Sequence, residues 1–447
     1  MMPAERGRRV LGLRCRECGA DYELQATHVC EACFGPLDVR YDYGLIRRTM
    51  SRERIAKGPP TMWRYRDLLP LEDDANVISL GEGFTPLIKA ERLGAELGLR
   101  NLYLKNDSMN PTNSFKDRVV SVAVSWSRSH GFETIGCAST GNLANSVAAY
   151  AARAGLECYV FLPDDTEEEK LVATSVFEPN MVAVRGTYDD VNRLCSQVME
   201  ELPWAFCNIN IRPFYAEGSK TLTFETAEQL GWRLPDEIIV PIASGCQFVR
   251  HRRAAGELLE LGLVDGPGVP RLTGAQALGC APVYNAWRQE TERVVPVKPN
   301  TIARSIAIGN PSDGPYVVRI ARETGGVVEA VAEEEIVEGI RLLARTEGIF
   351  TETAGGVTIG VLAKLARAGR WGGDEVIVAY VTGHGLKTAD AVADGGSARR
   401  AEIEPSLRSF RERVLVYGFA RSVLESARFP YSRPTAHFER RRGHSDR

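Results

Sequence analysis

The sequence predicts an α/β fold built on mostly parallel sheets, and three observations carry the prediction. From Asn101 onward, short β-rich runs alternate with runs whose apolar residues recur at helical spacing. Loops of small and hydroxyl-bearing residues follow several of the strand candidates. The chain, at 447 residues, is also too long for one ordinary core, so two or three domains are expected. Sheets of this kind carry helices on both faces, giving three layers, and bind ligands beyond the C-terminal strand ends.

The strand candidates are Asn101 to Lys105, Thr134 to Ala138, Glu157 to Leu162, Met181 to Arg185, Glu237 to Pro241, Arg271 to Ala275 and Glu375 to Val381. Between them, helices are expected over Ser114 to His130, Asn142 to Ala154, Tyr188 to Glu201, Ser219 to Leu230, Phe248 to Leu261, Glu333 to Thr346 and Gly355 to Ala368. Ser79 to Leu87 reads as a glycine-punctuated turn leading into an extended segment, and Ala90 to Gly98 as a helix. Past Asp390 the alternation stops. Pro405 to Ala427 is expected to form one or two amphipathic helices, and Arg428 to Arg447 a solvated basic tail.

Ahead of the alternating region stand Cys15-Arg-Glu-Cys18 and Cys30-Glu-Ala-Cys33, each pair followed by a glycine, Gly19 or Gly35. Two such knuckles offer four thiolates at a spacing that suits tetrahedral zinc. Because Cys15, Cys18, Cys30 and Cys33 fill every position, the ion would be structural, with no coordination site left for a substrate. The other six cysteines lie in apolar segments and are expected to be buried free thiols. From Tyr41 to Pro70 the chain is basic and proline-containing, as a segment packed across a neighbouring domain would be.

A formal net charge of -3 gives no footprint for nucleic acid or an anionic membrane. No uncharged apolar run is long enough to cross a bilayer, and the first residues lack the apolar stretch of a signal peptide. A cytoplasmic protein with a small-molecule partner is the expectation.

Four loops stand out. Asn110-Pro-Thr-Asn-Ser-Phe-Lys116 brings an amine to a first helical turn, with Ser114 as the expected cap. Such an amine can form a Schiff base when burial or nearby cations lower its pKa, because the neutral form attacks an aldehyde. Ser139-Thr140-Gly141-Asn142 opens a helix whose free N–H groups favour a carboxylate. Ala243-Ser244-Gly245-Cys246-Gln247 suits a phosphate, and Thr382 heads the flexible end of the last strand. An amine, a carboxylate site, a phosphate cup and a neutral hydroxyl together make the inventory of a pyridoxal phosphate site.

The runs N-P-T-N-S-F-K-D-R, A-S-T-G-N, A-E-G-S-K-T from Ala216, I-G-N-P from Ile308, E-G-I-F-T-E from Glu347 and T-G-H-G-L-K from Thr382 occur in this order. With them the chain resembles the threonine synthase family, of fold type II pyridoxal phosphate enzymes related to the tryptophan synthase β subunit, in a branch with an N-terminal ribbon. The resemblance implies a zinc ribbon over 1–40 and a larger cofactor-binding domain from 41–110 and 215–400, with 41–75 as linker. It further implies a smaller mobile domain over 111–214 and a C-terminal extension over 401–447, in a homodimer. Lys116 would carry the cofactor's aldehyde carbon and shuttle protons, and Asn142 would bond the phenolic oxygen. Ala243, Ser244, Gly245, Cys246 and Gln247 would surround the cofactor phosphate, and Thr382 would face the pyridine nitrogen. A hydroxyl there leaves that nitrogen unprotonated, which favours elimination and replacement over transamination.

The implied substrate is O-phosphohomoserine. Loss of an α and a β proton, departure of phosphate from the γ carbon and addition of water at the β carbon give threonine. Ser139, Thr140 and Gly141 would take the substrate carboxylate, and Lys105 and Arg212 its phosphate, with Lys220 and Arg304 also available. Asn113, Leu143, Cys246, Gln247 and Val249 depart from the broader family pattern, which bears on the substrate more than on the cofactor. Two other readings follow: a related β- or γ-replacement enzyme, such as a cysteate synthase, or a ribbon-type binding protein with a degenerate enzyme domain.

Overall fold

The computed structural model describes residues 7–164, 166, 168–186, 188–266, 268–393 and 402–416. The chain divides into two compact units, Met1–Ala391 and Val392–Arg447. In the second, Ser406 caps the short helix Leu407–Phe410 by accepting from the Ser409 N–H at 3.1 Å, and a π-helical stretch Arg411–Val416 follows. The rest of the expected helices there, and the basic tail, lie outside the described residues.

The first unit holds three sheets. Six strands run in the order Val328–Val331, Arg271–Ala277, Glu237–Pro241, Val376–Val381, Asn101–Asn106 and Leu87–Lys89, parallel except for the last, antiparallel edge. Four run in the order Asn180–Val184, Glu157–Pro163, Thr134–Ala138 and Ala205–Phe206, all parallel. The third, an antiparallel sheet of Asp21–Tyr22, Val10–Cys15 and Leu37–Tyr41, forms the ribbon. Every strand and helix expected between Asn101 and Val381 is present, with ends displaced by a residue or two. Short elements escaped the pattern: the edge strands Ala205–Phe206 and Val328–Val331, and the helices Glu168–Ser175, Arg212–Glu217, Pro282–Arg288 and Gly314–Thr324. Too few apolar repeats fall inside most of them, although proline at the first turn was a usable signal for the last three.

The helix Lys116–Ser129 is buried nearly all round, including Val119, Val120, Val122, Ala123, Val124 and Trp126. Each enclosed valine contributes roughly 1.5–3 kcal/mol of apolar burial. Ser121 and Ser125 are buried too and therefore need partners: Ser121 Oγ donates to the Ile78 carbonyl at 2.7 Å, and Ser125 Oγ accepts from the Ile78 N–H at 2.8 Å. Trp126 stacks on Phe214 with ring centroids 3.7 Å apart.

This helix does not start as expected. Phe115 occupies the cap position without a side-chain bond, and Ser114 pairs its backbone with Gly383 instead. Asp117 shapes the turn: its carboxylate accepts from the Thr112 N–H at 2.7 Å, from Thr112 Oγ1 at 2.5 Å and from Ser146 Oγ at 2.7 Å. Asn113 takes the left-handed conformation this turn requires, with φ 62°.

In the ribbon the four expected sulfurs converge, all within 4.8 Å of one another. The two knuckles are not turned identically. Gly19 takes a positive φ of 76°, whereas in the second knuckle Phe34 does, at 59°. Gly35 is needed for space, because a Cβ there would lie 2.9 Å from Cys15 Sγ. The six other cysteines are free; five are buried, and Cys246 is half-buried. Among the described residues no helix is long and apolar enough to cross a membrane.

Candidate active site

The four loops meet at the C-terminal ends of the parallel strands. The Lys116 turn is stitched to the end of Val376–Val381: the Phe115 N–H donates to the Thr382 carbonyl at 2.9 Å, and the His384 N–H to the Asn113 carbonyl at 3.0 Å. The turn that carries the lysine is thereby fixed by backbone hydrogen bonds. Lys116 Nζ donates to Tyr215 Oη at 2.8 Å and lies 4.7 Å from the centre of the Phe115 ring. Burial pushes its pKa below the ordinary lysine value, and electrostatic interaction with the Cys246 and Glu352 side chains opposes that shift. Burial also holds the Tyr215 hydroxyl neutral, so it can accept from the amine.

Glu352 links the remaining groups. Its carboxylate accepts from Asn142 Nδ2 at 2.9 Å and from the Thr382 hydroxyl, and its backbone N–H donates to the Gly383 carbonyl at 3.0 Å. Burial raises its pKa, while the bonds from Asn142 and Thr382 and the charges of Lys387 and Lys116 pull it back. Gly383 permits the approach, since a Cβ there would sit 2.5 Å from the carboxyl carbon.

The helix Asn142–Ala154 opens without a side-chain cap at Gly141, where a Cβ would meet nothing within 4 Å. Ser139 and Thr140 are half-buried beside it, and Ser139 Oγ accepts from the Gly141 N–H at 3.3 Å. Its first-turn N–H groups have no side-chain cap and suit a carboxylate.

The Glu237–Pro241 strand runs through Ile242 and Ala243 to Ser244 and Gly245. Gly245 starts the helix Cys246–Glu260 with φ 92° and no side-chain cap. The Asp313 N–H donates to the Ser244 carbonyl at 2.9 Å and fixes the turn from behind. An uncapped N-terminus of a long helix, beside a lysine amine sensitive to Cys246, fits the phosphate and aldehyde of pyridoxal phosphate. Gln247 turns its side chain to His251, 3.4 Å away, so only its backbone is available to the cup.

The candidate cations separate cleanly. Lys105 is fully buried, bonded to Glu225 at 2.7 Å, the Thr85 carbonyl at 2.7 Å and Gln229 at 2.9 Å, inside a network that also holds Arg118 and Asp107. Its charge is spent there, which corrects the expectation that it meets a substrate phosphate; a buried cation is retained only with its partners. Lys220 is likewise enclosed by Glu217 and Glu257, at 2.7 and 2.9 Å. Arg304 is exposed on a short 3-10 turn. Arg212 alone of the four is at the cup: half-buried, paired with Asp313, bonded to Ser312 at 2.9 Å and lining a cavity with Cys246.

Tyr215, Glu352 and Asp313 were not singled out by the sequence. Glu352 ends the Glu347–Glu352 motif, so an acid directly before a buried helix could have drawn notice. Tyr215 and Asp313 carry no local signal, because only the fold brings them to the strand ends.

Residues 78–383 match the family model described as pyridoxal-phosphate dependent enzyme. The chain is 40% identical to the threonine synthase of Methanocaldococcus jannaschii over 88% of its own length and 95% of that protein. It is 38% identical to the threonine synthase of Methanosarcina acetivorans, over 86% and 93%. Among solved structures, the processed form of threonine deaminase isoform 2 from Solanum lycopersicum superposes with a TM-score of 0.58 at 22% identity, over 70% of this chain and 84% of that one. That likeness shows the fold, whose mostly parallel sheets carry the site at their strand ends. The chain therefore belongs to the pyridoxal-phosphate dependent enzymes of fold type II, within the threonine synthase family.

Proposed function

We propose that this enzyme converts O-phosphohomoserine and water to threonine and phosphate. The observation that carries the reading is the convergence of Lys116, Asn142, Thr382 and Tyr215 around Glu352 and Cys246, with Arg212 beyond the cup. When bound, pyridoxal phosphate supplies a conjugated ring that takes up the negative charge left by each proton loss.

Lys116 would hold the aldehyde carbon and, once the substrate amine has replaced it, carry the α proton. Its lowered pKa keeps more of it in the neutral form that these steps need. Asn142 would donate to the phenolic oxygen, and Thr382 would offer the pyridine nitrogen a hydroxyl instead of a carboxylate. The backbone of Ala243 to Gln247 would bind the cofactor phosphate. Ser139, Thr140 and Gly141 would orient the substrate carboxylate, and Arg212 would meet the departing phosphate. In this structure Glu352 accepts from both: Asn142 keeps a second amide hydrogen for the phenolic oxygen, whereas the single hydroxyl hydrogen of Thr382 would turn from Glu352 to the pyridine nitrogen.

The four thiolates are proposed to bind a structural zinc ion. The neighbouring sulfur separations, Cys15 to Cys33 at 3.4 Å and Cys18 to Cys30 at 3.6 Å, approach the ~3.8 Å of a tetrahedral site with bonds of about 2.3 Å. The proposed domains follow the sheets: the four-stranded one falls within 111–214 and the six-stranded one within 41–110 and 215–400. A cytoplasmic homodimer is the proposed working form.

The test is an assay of the purified protein loaded with pyridoxal phosphate. Expected are an absorbance band near about 410–430 nm and equal amounts of threonine and phosphate from O-phosphohomoserine. A band without either product would reject this substrate and keep the cofactor assignment; absence of the band would reject both.

A further inference from the structure

Arg16 lies inside the first knuckle, between Cys15 and Cys18. Unlike an ordinary knuckle residue, it points into the enzyme. Its Nε and Nη2 donate to Asp38 at 3.1 and 2.9 Å, its Nη1 donates to Asp313 at 2.9 Å, and its guanidinium lies 4.6 Å from the centre of the Tyr316 ring. Asp313 is nearly inaccessible, at 1% exposure. One of its oxygens takes Arg16, the other takes Arg212, and its backbone holds Ser244. A Cβ on Gly245 would touch it at 3.0 Å. Between the ribbon and the cup lies a cavity of about 10 Å³, lined by Arg16, His28, Arg212, Cys246, Arg250 and Asp313. It is too small for a phosphate, so it is a junction and not a second site.

Asp38 makes the second attachment. It bonds Arg250, on the helix that starts at the cup, at 2.7 Å. The ribbon thus grips both the turn and the helix that would face phosphate.

The charge arithmetic gives Arg16 a definite task. Asp313 is an anion beside a place meant for anions. With Arg16 present, its charge is shared between two guanidiniums. Without Arg16, both its oxygens are free to bind Arg212, and an incoming phosphate meets repulsion and a sequestered cation.

We propose that Arg16 is a positioning residue which, through Asp313, keeps Arg212 and the Ser244–Gly245 turn ready for phosphate, so that the thiolate ribbon is part of the active-site machinery. This rests on the reading of Ala243 to Gln247 as the cofactor-phosphate cup and of Arg212 as the substrate cation.

The experiment titrates pyridoxal phosphate into the apo forms of the full-length wild type, Arg16→Gln, Arg16→Lys and the double variant Arg16→Gln/Asp313→Asn. Zinc content and Tm are measured beside it. Arg16→Gln should raise the cofactor Kd and the KM for O-phosphohomoserine about tenfold, the size of one partly screened charge, with kcat within about threefold. Arg16→Lys keeps the charge but cannot bridge both carboxylates, and should fall between. The double variant should recover much of the affinity, because the uncompensated anion is gone. A merely structural arginine would not be rescued by removing its partner.

Unchanged Kd and KM in Arg16→Gln, or a double variant weaker than the single one, would overturn the proposal. If Arg16→Gln does not fold, Arg16→Lys decides: an intermediate loss of affinity supports the proposal and wild-type values refute it. If the wild type does not turn over O-phosphohomoserine, the functional reading fails, while the cofactor titration still judges this one.

Discussion

At Lys116 three neighbours act on one amine, and they pull in different directions. Burial lowers its pKa, electrostatic interaction with the Cys246 and Glu352 side chains raises it, and Tyr215 Oη accepts a hydrogen bond from it at 2.8 Å. Capture of an aldehyde needs the neutral amine, so its rate in apo-protein should rise with pH and level off at the lowered pKa, below the ordinary lysine value. The sign for stability is the same. Between the lowered value and the unfolded one, the unfolded chain binds more protons, so the apo-protein gains stability as pH rises through that window. Glu352→Gln removes one of the raising influences. The rate profile of band formation on adding pyridoxal phosphate should then move to lower pH, with faster capture near neutrality. A profile that stays put or moves up would remove Glu352 from the site. Lys116→Ala should abolish the band altogether.

At the scale of elements, the proposed phosphate cup depends on one backbone conformation. Gly245 has φ 92°, and an added Cβ would lie 2.8 Å from Val317 Cγ2 and 3.0 Å from Asp313 Cβ. Gly245→Ala should cost roughly 1–3 kcal/mol in strain and contact and weaken pyridoxal phosphate binding. Urea unfolding of the apo-protein and a cofactor titration measure both, and wild-type values in each would show that the turn is not the cup. The ribbon is the other dependent element. It is anchored by the Tyr41 hydroxyl to Glu217 at 2.7 Å and by Asp38 to Arg250 at 2.7 Å. Chelation, or Cys30→Ser, should therefore lower Tm together with cofactor affinity; a bound zinc stoichiometry near zero in the untreated protein would contradict the metal assignment.

These elements also show what could be read in advance. Asn142–Ala154 was legible to the residue because burial on one face repeats at helical spacing, and Glu237–Pro241 because a short apolar run buried on both faces reads as a central strand. Ser114 was legible as a helix cap and is not one, because a distant strand end pairs with its backbone. Lys105 was legible as a spare cation and is not one, because Glu225 reaches its strand from the helix Lys220–Gln229. Lys116, Asn142 and Thr382 could be found because each follows a strand. Glu352 and Asp313 reach them only through tertiary structure.

Taken whole, the molecule assembles its site from segments far apart in the chain: Lys116, Asn142, Tyr215, Cys246, Glu352 and Thr382 come from six separate segments at the strand ends of two mostly parallel sheets. Such a site exists only once the long-range strand pairings have formed. The near-neutral chain, with a net charge of -3, suits a small anionic substrate concentrated by local cations and not by the field of the whole protein.

The central claim is that phosphate leaves from carbon and water enters at the neighbouring carbon. Turnover of O-phosphohomoserine in water enriched in heavy oxygen tests it most directly. The enzyme should place the label in the threonine hydroxyl and release phosphate containing only the substrate's own oxygens, because the carbon–oxygen bond breaks. Labelled phosphate with unlabelled homoserine would mean simple phosphoester hydrolysis and would contradict the account.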